Sequence, residues 1–341
     1  GEMSKNINDN LVLRRATPDD SIRVADFMAE IFRDPEARLQ TLEFMSARHP
    51  GIAASDFTVV EDVKTSAIVS SLCLMSRRWR YGKISLNVDE IATVGTHPDY
   101  RGLGLVRAQM DMVHSLSHKR GSLVQGILGI PWFYRQFGYE PALEDSVRRV
   151  GKAVDIVNTV NNEKWRVRLA TKKDVSFIID THSEASSRHL ISAVLEADRV
   201  QYSVLLRLRT MKTLAIIESQ EGKKVGFLSH RNCLQDGVLD LSTFELIPRM
   251  SWKLVLPSVL RYLRKTGEEY AGTSHGQFSD IALMLGTDHP MYLDSDWPTI
   301  TTRPHAWYIR VVDIVAFIRA VTPTLNLPIS ASDLGDYTGE V

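Results

Sequence analysis

Apolar and polar residues alternate over Leu11–Arg15, and Ile22, Ala25, Met28 and Phe32 then recur at helical spacing. The pattern predicts a strand running into an amphipathic helix. Between them stand Thr17, placed to cap the helix with its hydroxyl, Pro18, suited to the first turn, and Asp19 and Asp20, suited to the positive end of the dipole. The same arrangement returns at Trp165–Leu169. Arg14, Ala16, Thr17 and Asp20 match Arg168, Ala170, Thr171 and Asp174 at a constant offset of 154 residues. Each copy continues into two strands joined by a polar turn, Phe57–Glu61 with Ala67–Leu74 and Leu214–Glu218 with Val225–His230. Two β-α-β-β units predict an α/β protein of mixed, α+β character made of two tandem domains.

Length agrees, since 341 residues suffice for about two domains. Hydrophobic residues are 44% and charged residues 24%, a globular balance that excludes disordered and fibrous classes. Forty-one basic residues face 41 acidic ones. Proteins that grip phosphate backbones carry a basic excess, so no nucleic acid partner is expected. Cys73 and Cys233 lie far apart, which excludes a disulfide framework and points to a reducing, cytoplasmic setting. No apolar run reaches the 18 or so residues of a membrane span, so no membrane partner is expected either. The N-terminus has no signal-peptide core, and Gly1 and Glu2 ahead of Met3 read as added residues.

Candidate chemistry concentrates in residues 85–107. A strand ends at His97-Pro98, Arg101-Gly102-Leu103-Gly104 forms a tight loop, and a helix is predicted from about Leu103 to Lys119 with Val106, Met110, Val113 and Leu116 on its buried face. Glycines let a backbone turn with its N–H groups inward, and a helix N-terminus adds positive potential. That combination suits a pyrophosphate, with Arg101 adding a charged contact. Neither the nucleoside-triphosphate loop nor the dinucleotide fingerprint fits, because Gly-Lys-Ser/Thr is absent and Arg107 stands where a third glycine belongs. A second stretch follows a strand predicted over Leu123–Ile130 and reads Pro-Trp-Phe-Tyr-Arg-Gln-Phe-Gly-Tyr-Glu-Pro from Pro131 to Pro141. Phe133 and Phe137 read as core and Gly138 as a helix end. His97, His114 and His118 lack an acidic residue at metalloprotease spacing, so no metal is expected.

The loop resembles the acetyl-CoA loop of the GNAT acetyltransferase superfamily, Arg/Gln-x-x-Gly-x-Gly/Ala. Arg101 and Gly104 match that pattern. Val106 departs from its final small residue, as in the enhanced intracellular survival (Eis) branch. Residues 133–139 resemble the superfamily's Phe-Tyr-x-x-x-Gly-Phe/Tyr signature. The resemblance implies acetyl-CoA as co-substrate, held by Val94, Gly95, Thr96, Arg101, Gly102, Leu103, Gly104, Leu105, Val106 and Arg107, with Tyr134 as general acid and a small-molecule or peptide amine as acceptor. Gly95 within a strand suggests a bulge that aims backbone N–H groups at the acetyl carbonyl. The base stays open between Asp89, Glu90 and a C-terminal carboxylate. Eis-like relatives often form rings, so a homo-oligomer is compatible. A non-catalytic acyl-CoA sensor would share the same loop.

In the second half the matching junction, Glu245–Trp252, has no glycine, and Lys253–Arg264 reads as an amphipathic helix. This half is expected to be a degenerate GNAT domain without the loop. Residues 303–310 and 313–318 resemble the end of that domain in Eis-like proteins. The expected division is a catalytic domain over 3–150, a linker over 151–164, a second domain over 165–322, and over 323–341 a tail or the start of a sterol-carrier-like domain.

Overall fold

The computed structural model describes residues 4–145, 147–208, 210–298, 300–302 and 305–330. Gly1–Met3, Arg303, Pro304 and residues 331–341, on which some of the expectations above fall, lie outside the described residues. The chain divides into two compact units, Gly1–Leu143 with Ser187–Val194 and Trp307–Val341, and Glu144–Ser186 with Leu195–Ala306.

The first unit begins with β1 (Ser4–Asn6), β2 (Leu11–Arg15), α1 (Ser21–Phe32), α2 (Pro35–Met45), β3 (Phe57–Asp62), β4 (Ala67–Tyr81) and β5 (Ile84–Thr96). After the glycine loop come α3 (Leu105–Lys119), β6 (Val124–Leu128) and β7 (Glu140–Asp145). Strands β1 to β5 pair antiparallel in chain order, whereas β5 and β6 run parallel, because α3 carries the chain back across the sheet between them. Alternation along the strands sorts the core onto two faces. Phe57, Val59, Cys73 and Met75 pack with Val24, Phe27 and Met28 of α1, and Leu11, Leu13, Val60 and Val69 pack with Leu105. Each such large side chain, once buried, contributes roughly 1.5–3 kcal/mol of transfer free energy.

The second unit follows with β8 (Arg149–Lys152), β9 (Trp165–Leu169) and α4 (Val175–Ser186). Then β10 (Ile191–Ala193) pairs with β4, and the chain continues through α5 (Ala197–Leu206), β11 (Lys212–Ser219), β12 (Lys224–Arg231), β13 (Val238–Leu246), α6 (Trp252–Ser274), β14 (Asp280–Leu283) and β15 (Ile300–Thr301). Last come β16 (His305–Val311) and α7 (Ile314–Ser330). Among the described residues the sheets have nine and seven strands, and each contains one parallel pair, β5 with β6 and β13 with β14. This is a mixed α/β fold repeated once.

The repeat is physical as well as sequential. Arg14 donates both terminal nitrogens to Asp20, at 2.7 and 2.9 Å, and Arg168 does the same to Asp174, at 2.8 and 3.1 Å. In each copy the aspartate also accepts from the threonine three residues earlier, through its N–H and its hydroxyl. As expected, Thr17 and Thr171 stand at N-caps, here of short 3-10 turns, and each forms a capping box with the aspartate three residues on. Asp20 and Asp174 are in addition buried and receive an arginine from the preceding strand. Bonding to Arg14 holds the Asp20 carboxyl well below the usual carboxylate range. Burial acts against Asp174, yet Arg168 and Lys224 still hold it low. The intervening turn starts α1 at Ser21 and rotates its buried face: Val24 and Phe27 join Ala25 and Met28, while the expected Ile22 and Phe32 are exposed.

The end of the chain departs further from the sequence reading. Strand β16 was expected to close the second domain, but it inserts between β6 and β7 in the first sheet, antiparallel to β6 with Tyr308 opposite Ile127 and Arg310 opposite Gln125. Reciprocally, β8 inserts between β14 and β15 in the second sheet, so residues 149–152 are sheet rather than the end of the first domain followed by linker. The open edge of β6 is thus met by a strand that follows the second unit in sequence, and that of β14 by the strand with which the second unit begins. Residues 314–330 form one helix, in which Phe317, Ala320 and Val321 cover Leu86, Val88 and Val124. It crosses the expected boundary at 322–323, and residues 323–330, expected as a tail or the start of a further domain, continue it.

Candidate functional site

Strands β5 and β6 pair only from Val88 to Glu90, against Val124 to Gly126. Beyond that point β5 continues to Thr96 with β4 on its other side, and among the described residues no strand pairs with its inner edge. Backbone polar groups on such an edge remain available to a ligand. The β4–β5 register slips between Ser71 and Cys73, opposite Thr93 and Val94, and Thr93 takes a φ of +52°. The bulge residue is therefore Thr93. Gly95 serves packing: a Cβ there would stand 2.9 Å from Ile31 Cγ2, so glycine lets α1 lie close against the strand.

A buried polar chain fixes this strand to α3. Gln109 donates to Ser70 Oγ at 2.7 Å and accepts from Thr58 Oγ1 at 2.9 Å. Ser70 in turn donates to the Gly95 carbonyl and shares a 2.8 Å bond with Thr96. Buried donors and acceptors of this kind are costly to leave unmade, which makes the arrangement rigid. Helix spacing left Gln109 unnoticed, because an amide on a buried face gives no periodic signal.

The approach to the loop is anchored. His97 accepts from Asp99 N at 3.2 Å, and Tyr100 donates to Asp62 at 2.8 Å. Gly102 and Gly104 take φ values of +78° and +72°, where L side chains are strained, and an added Cβ would meet nothing within 4 Å. Open space over both glycines is what a phosphate cradle requires. Arg101, Gly102, Leu103 and Gly104 are exposed. Helix α3 starts at Leu105, two residues later than expected. Its side chain is buried in the core, which leaves the backbone N–H as the group Leu105 has to offer. Val106 is half-buried, and Gly104 at the N-cap has no side chain to cover the first amides of the helix.

After β6 the chain passes Gly129 and turns through Trp132, at φ +69°, into a 3-10 helix, Phe133–Phe137, that ends at Gly138. Phe133, expected in the core, is exposed and Phe137 is half-buried, whereas Tyr134 is buried. A one-turn helix can bury only one side, and Tyr134 and Tyr139 take that place. The Tyr134 ring fills the space a Cβ on Gly129 would need. Burial pushes its hydroxyl up to about 12, so it remains protonated at neutral pH. Arg107 joins the two motifs, donating to Gln136 at 3.1 Å and lying 4.9 Å over the Phe137 ring.

Beneath Tyr134, Tyr139 shares a 2.9 Å bond with His114 of α3. Burial, helped by the charge of Arg310, lowers His114 to about 4. The two carboxylates at the splay differ. Asp89 is buried and accepts from Ser122 at 2.9 Å and Ser76 at 3.3 Å, whereas Glu90 is paired with Arg77 at 2.7 Å. Asp89 lies opposite Ser76 and Gln125, and Glu90 opposite Met75 and Gly126, so they stand on opposite faces.

The second unit lacks this loop. Between β13 and α6 the chain has no glycine, and the turn is made by Arg249 at φ +68°. Helix α6 is longer than expected and runs from Trp252 to Ser274.

A protein-family model for the acetyltransferase (GNAT) domain matches residues 12–142. That stretch is a GNAT acetyltransferase domain. No curated protein matches the chain by sequence. Among solved structures, a GCN5-related N-acetyltransferase from Kribbella flavida is similar at 18% identity and TM-score 0.64, over 91% of this chain and 74% of its own. A probable N-acyltransferase from Enterococcus faecalis V583, described as a conserved protein of unknown function, gives 15% identity and TM-score 0.63 over 90% and 74%. The N-myristoyltransferase of Saccharomyces cerevisiae with bound myristoyl-CoA gives 11% identity and TM-score 0.65 over 91% and 85%. At these identities the likeness establishes the fold. Among the described residues no helix is long and apolar enough to cross a membrane.

Proposed function

We propose that the first unit transfers an acetyl group from acetyl-CoA to a primary amine by direct attack, with Tyr134 as general acid. One observation carries the reading: the unpaired edge of β5 runs straight into an open, double-glycine loop at the head of α3, with a buried, protonated tyrosine at the end of the neighbouring strand. The residues fit the co-substrate. Gly102 and Gly104, with the first amides of α3, would hold its pyrophosphate, and Arg101 would add a charge-assisted contact. Val106, where the superfamily prefers a small residue, is half-buried and does not cover either glycine. Acetyl-CoA supplies the activated thioester.

Backbone N–H groups from Val94 to Thr96 would bind the thioester carbonyl and stabilise the charge that develops on its oxygen. Tyr134 gives its proton to the departing sulfur, a role open to a phenol that is protonated at neutral pH. An ammonium acceptor must first lose a proton, and the base stays open between Asp89, which accepts from two serine hydroxyls, Glu90, which is paired with Arg77, and a C-terminal carboxylate. The tandem arrangement, with a second unit lacking the loop, is what supports an Eis-like reading of the chain.

The test has two arms. Saturating acetyl-CoA, at about 100 times its Kd, should stabilise the protein by roughly 2.7 kcal/mol, and thiol release should be followed with a panel of alkyl amines, polyamines, aminoglycosides and peptide N-termini. Stabilisation with turnover of one amine class supports the reading, and Tyr134→Phe should then lower kcat by about 10² or more while leaving acetyl-CoA stabilisation intact. Stabilisation without turnover of any amine would make the unit a binding module. No stabilisation would remove the loop's assigned role.

A further inference from the structure

The helix that carries Tyr134 is a single 3-10 turn, too short to hold a fixed angle by its own hydrogen bonds. Both of its ends meet one element, β16: the entry through a hydrogen bond and the exit through packing. At the entry, Trp132 sits at φ +69°, a conformation that costs a non-glycine residue energy and needs outside support. Its N–H donates to Tyr308 Oη at 3.1 Å, and Tyr308 is buried. At the exit, Gly138 takes φ +87°, and the Arg310 side chain lies against it, with Nε 3.4 Å from where a Cβ would stand. Arg310 is itself held, donating to Gln125 Oε1 at 2.7 Å, and its charge acts on both Tyr139 and His114. Tyr308 and Arg310 are two residues apart on one strand and so project on the same face of the sheet.

We propose that Tyr308 and Arg310 are positioning residues for Tyr134, clamping the entry and the exit of its helix from a strand that follows the second unit in sequence. The proposal rests on the reading of Tyr134 as the acid. Neither side chain needs to touch substrate. Their effect is to keep the phenol at one depth and angle, and misplacement of a reacting group by about 1 Å can cost on the order of 10²-fold in rate.

The experiment is a double-mutant cycle in the full chain, measured by thiol release from acetyl-CoA with the fastest amine of the panel above. Tyr308→Phe removes the accepting oxygen and preserves the ring. It should lower kcat roughly 10-fold or more with KM for acetyl-CoA nearly unchanged. Arg310→Met should do the same, and Arg310→Lys should recover part of the loss. In a Tyr134→Phe background both effects should vanish, because a clamp has nothing left to aim. Equal losses with and without Tyr134 would overturn the proposal while leaving the acid in place. If Tyr134→Phe alone leaves kcat unchanged, the reading of the acid fails, and the clamp with it. Thermal unfolding of each variant guards the comparison. Should Tyr308→Phe not fold, the Arg310 pair carries the cycle.

Discussion

Tyr134 and Gly129 share one volume: the tyrosine ring occupies the place where any side chain at residue 129 would begin. The contact spans five residues of sequence and a change of direction, and it sets how deep the phenol lies. Gly129→Ala therefore forces the ring to move. Overpacking of this kind costs about 1–3 kcal/mol, and it should also lower kcat, because the acid is displaced. Parallel thermal unfolding and thiol-release assays check this. An alanine variant with full activity would show that Tyr134 is not held where the reaction needs it.

At the loop, Gly104→Ala meets no clash but forces a side chain into a left-handed conformation, at a cost of roughly 1–2 kcal/mol. Gly104→Glu adds a negative charge beside the proposed pyrophosphate. The alanine variant should lose modest stability and keep most of its affinity for acetyl-CoA, whereas the glutamate variant should lose binding by at least 10-fold. Calorimetric titration separates the two. Equal affinities would move the phosphate site elsewhere.

The pH dependence of stability should carry the signature of His114. Burial and Arg310 lower it to about 4, so the folded protein keeps it neutral where the unfolded chain, titrating near 6.5, takes up a proton. The unfolded state then binds more protons between those values. Stability is full above about pH 6.5 and falls as pH drops towards 4, with a slope of up to about 1.4 kcal/mol per pH unit. The groups around it are Tyr139, whose own titration lies far above this window, and Arg310. His230, which burial also lowers, adds to the slope with the same sign. His114→Gln should therefore reduce the slope, and only the pair of substitutions His114→Gln and His230→Gln should flatten it. The low-lying carboxyls of Asp20 and Asp174 act only below about pH 4.

Asp20→Asn and Asp174→Asn test the repeat. Each leaves an arginine on the adjacent strand without its bidentate partner and weakens the turn into the helix. The expected loss is about 1–3 kcal/mol in either copy, read from denaturant midpoints. A loss in one copy only would show that the shared residues do different jobs.

A fragment ending at residue 145 should fail as an independent domain. It retains the loop and Tyr134 but lacks β16, so the edge of β6 is unpaired and both ends of the Tyr134 helix lose their ties. No cooperative unfolding transition and no stabilisation by acetyl-CoA are expected. A fragment that melts cooperatively and binds would show that β16 is dispensable.

Local chemistry was legible in the sequence because short-range rules govern it. Paired glycines before an amphipathic helix announce a turn that needs left-handed backbone, and Arg14 with Asp20 and Arg168 with Asp174 repeat because one strand-to-helix turn is built twice. A strand followed by a short aromatic helix was likewise readable around Tyr134. Phe133 and Phe137 were misplaced because a single 3-10 turn has too little periodicity to say which side is buried. Only the tertiary structure decided that Gly95 yields to Ile31, that Gln109 ties α3 to β5, and that β16 enters the first sheet. Partner choice among strands depends on which edge is left open after the rest has folded. No pattern within residues 305–311 could declare that Tyr308 and Arg310 would stand at the two ends of the helix bearing Tyr134.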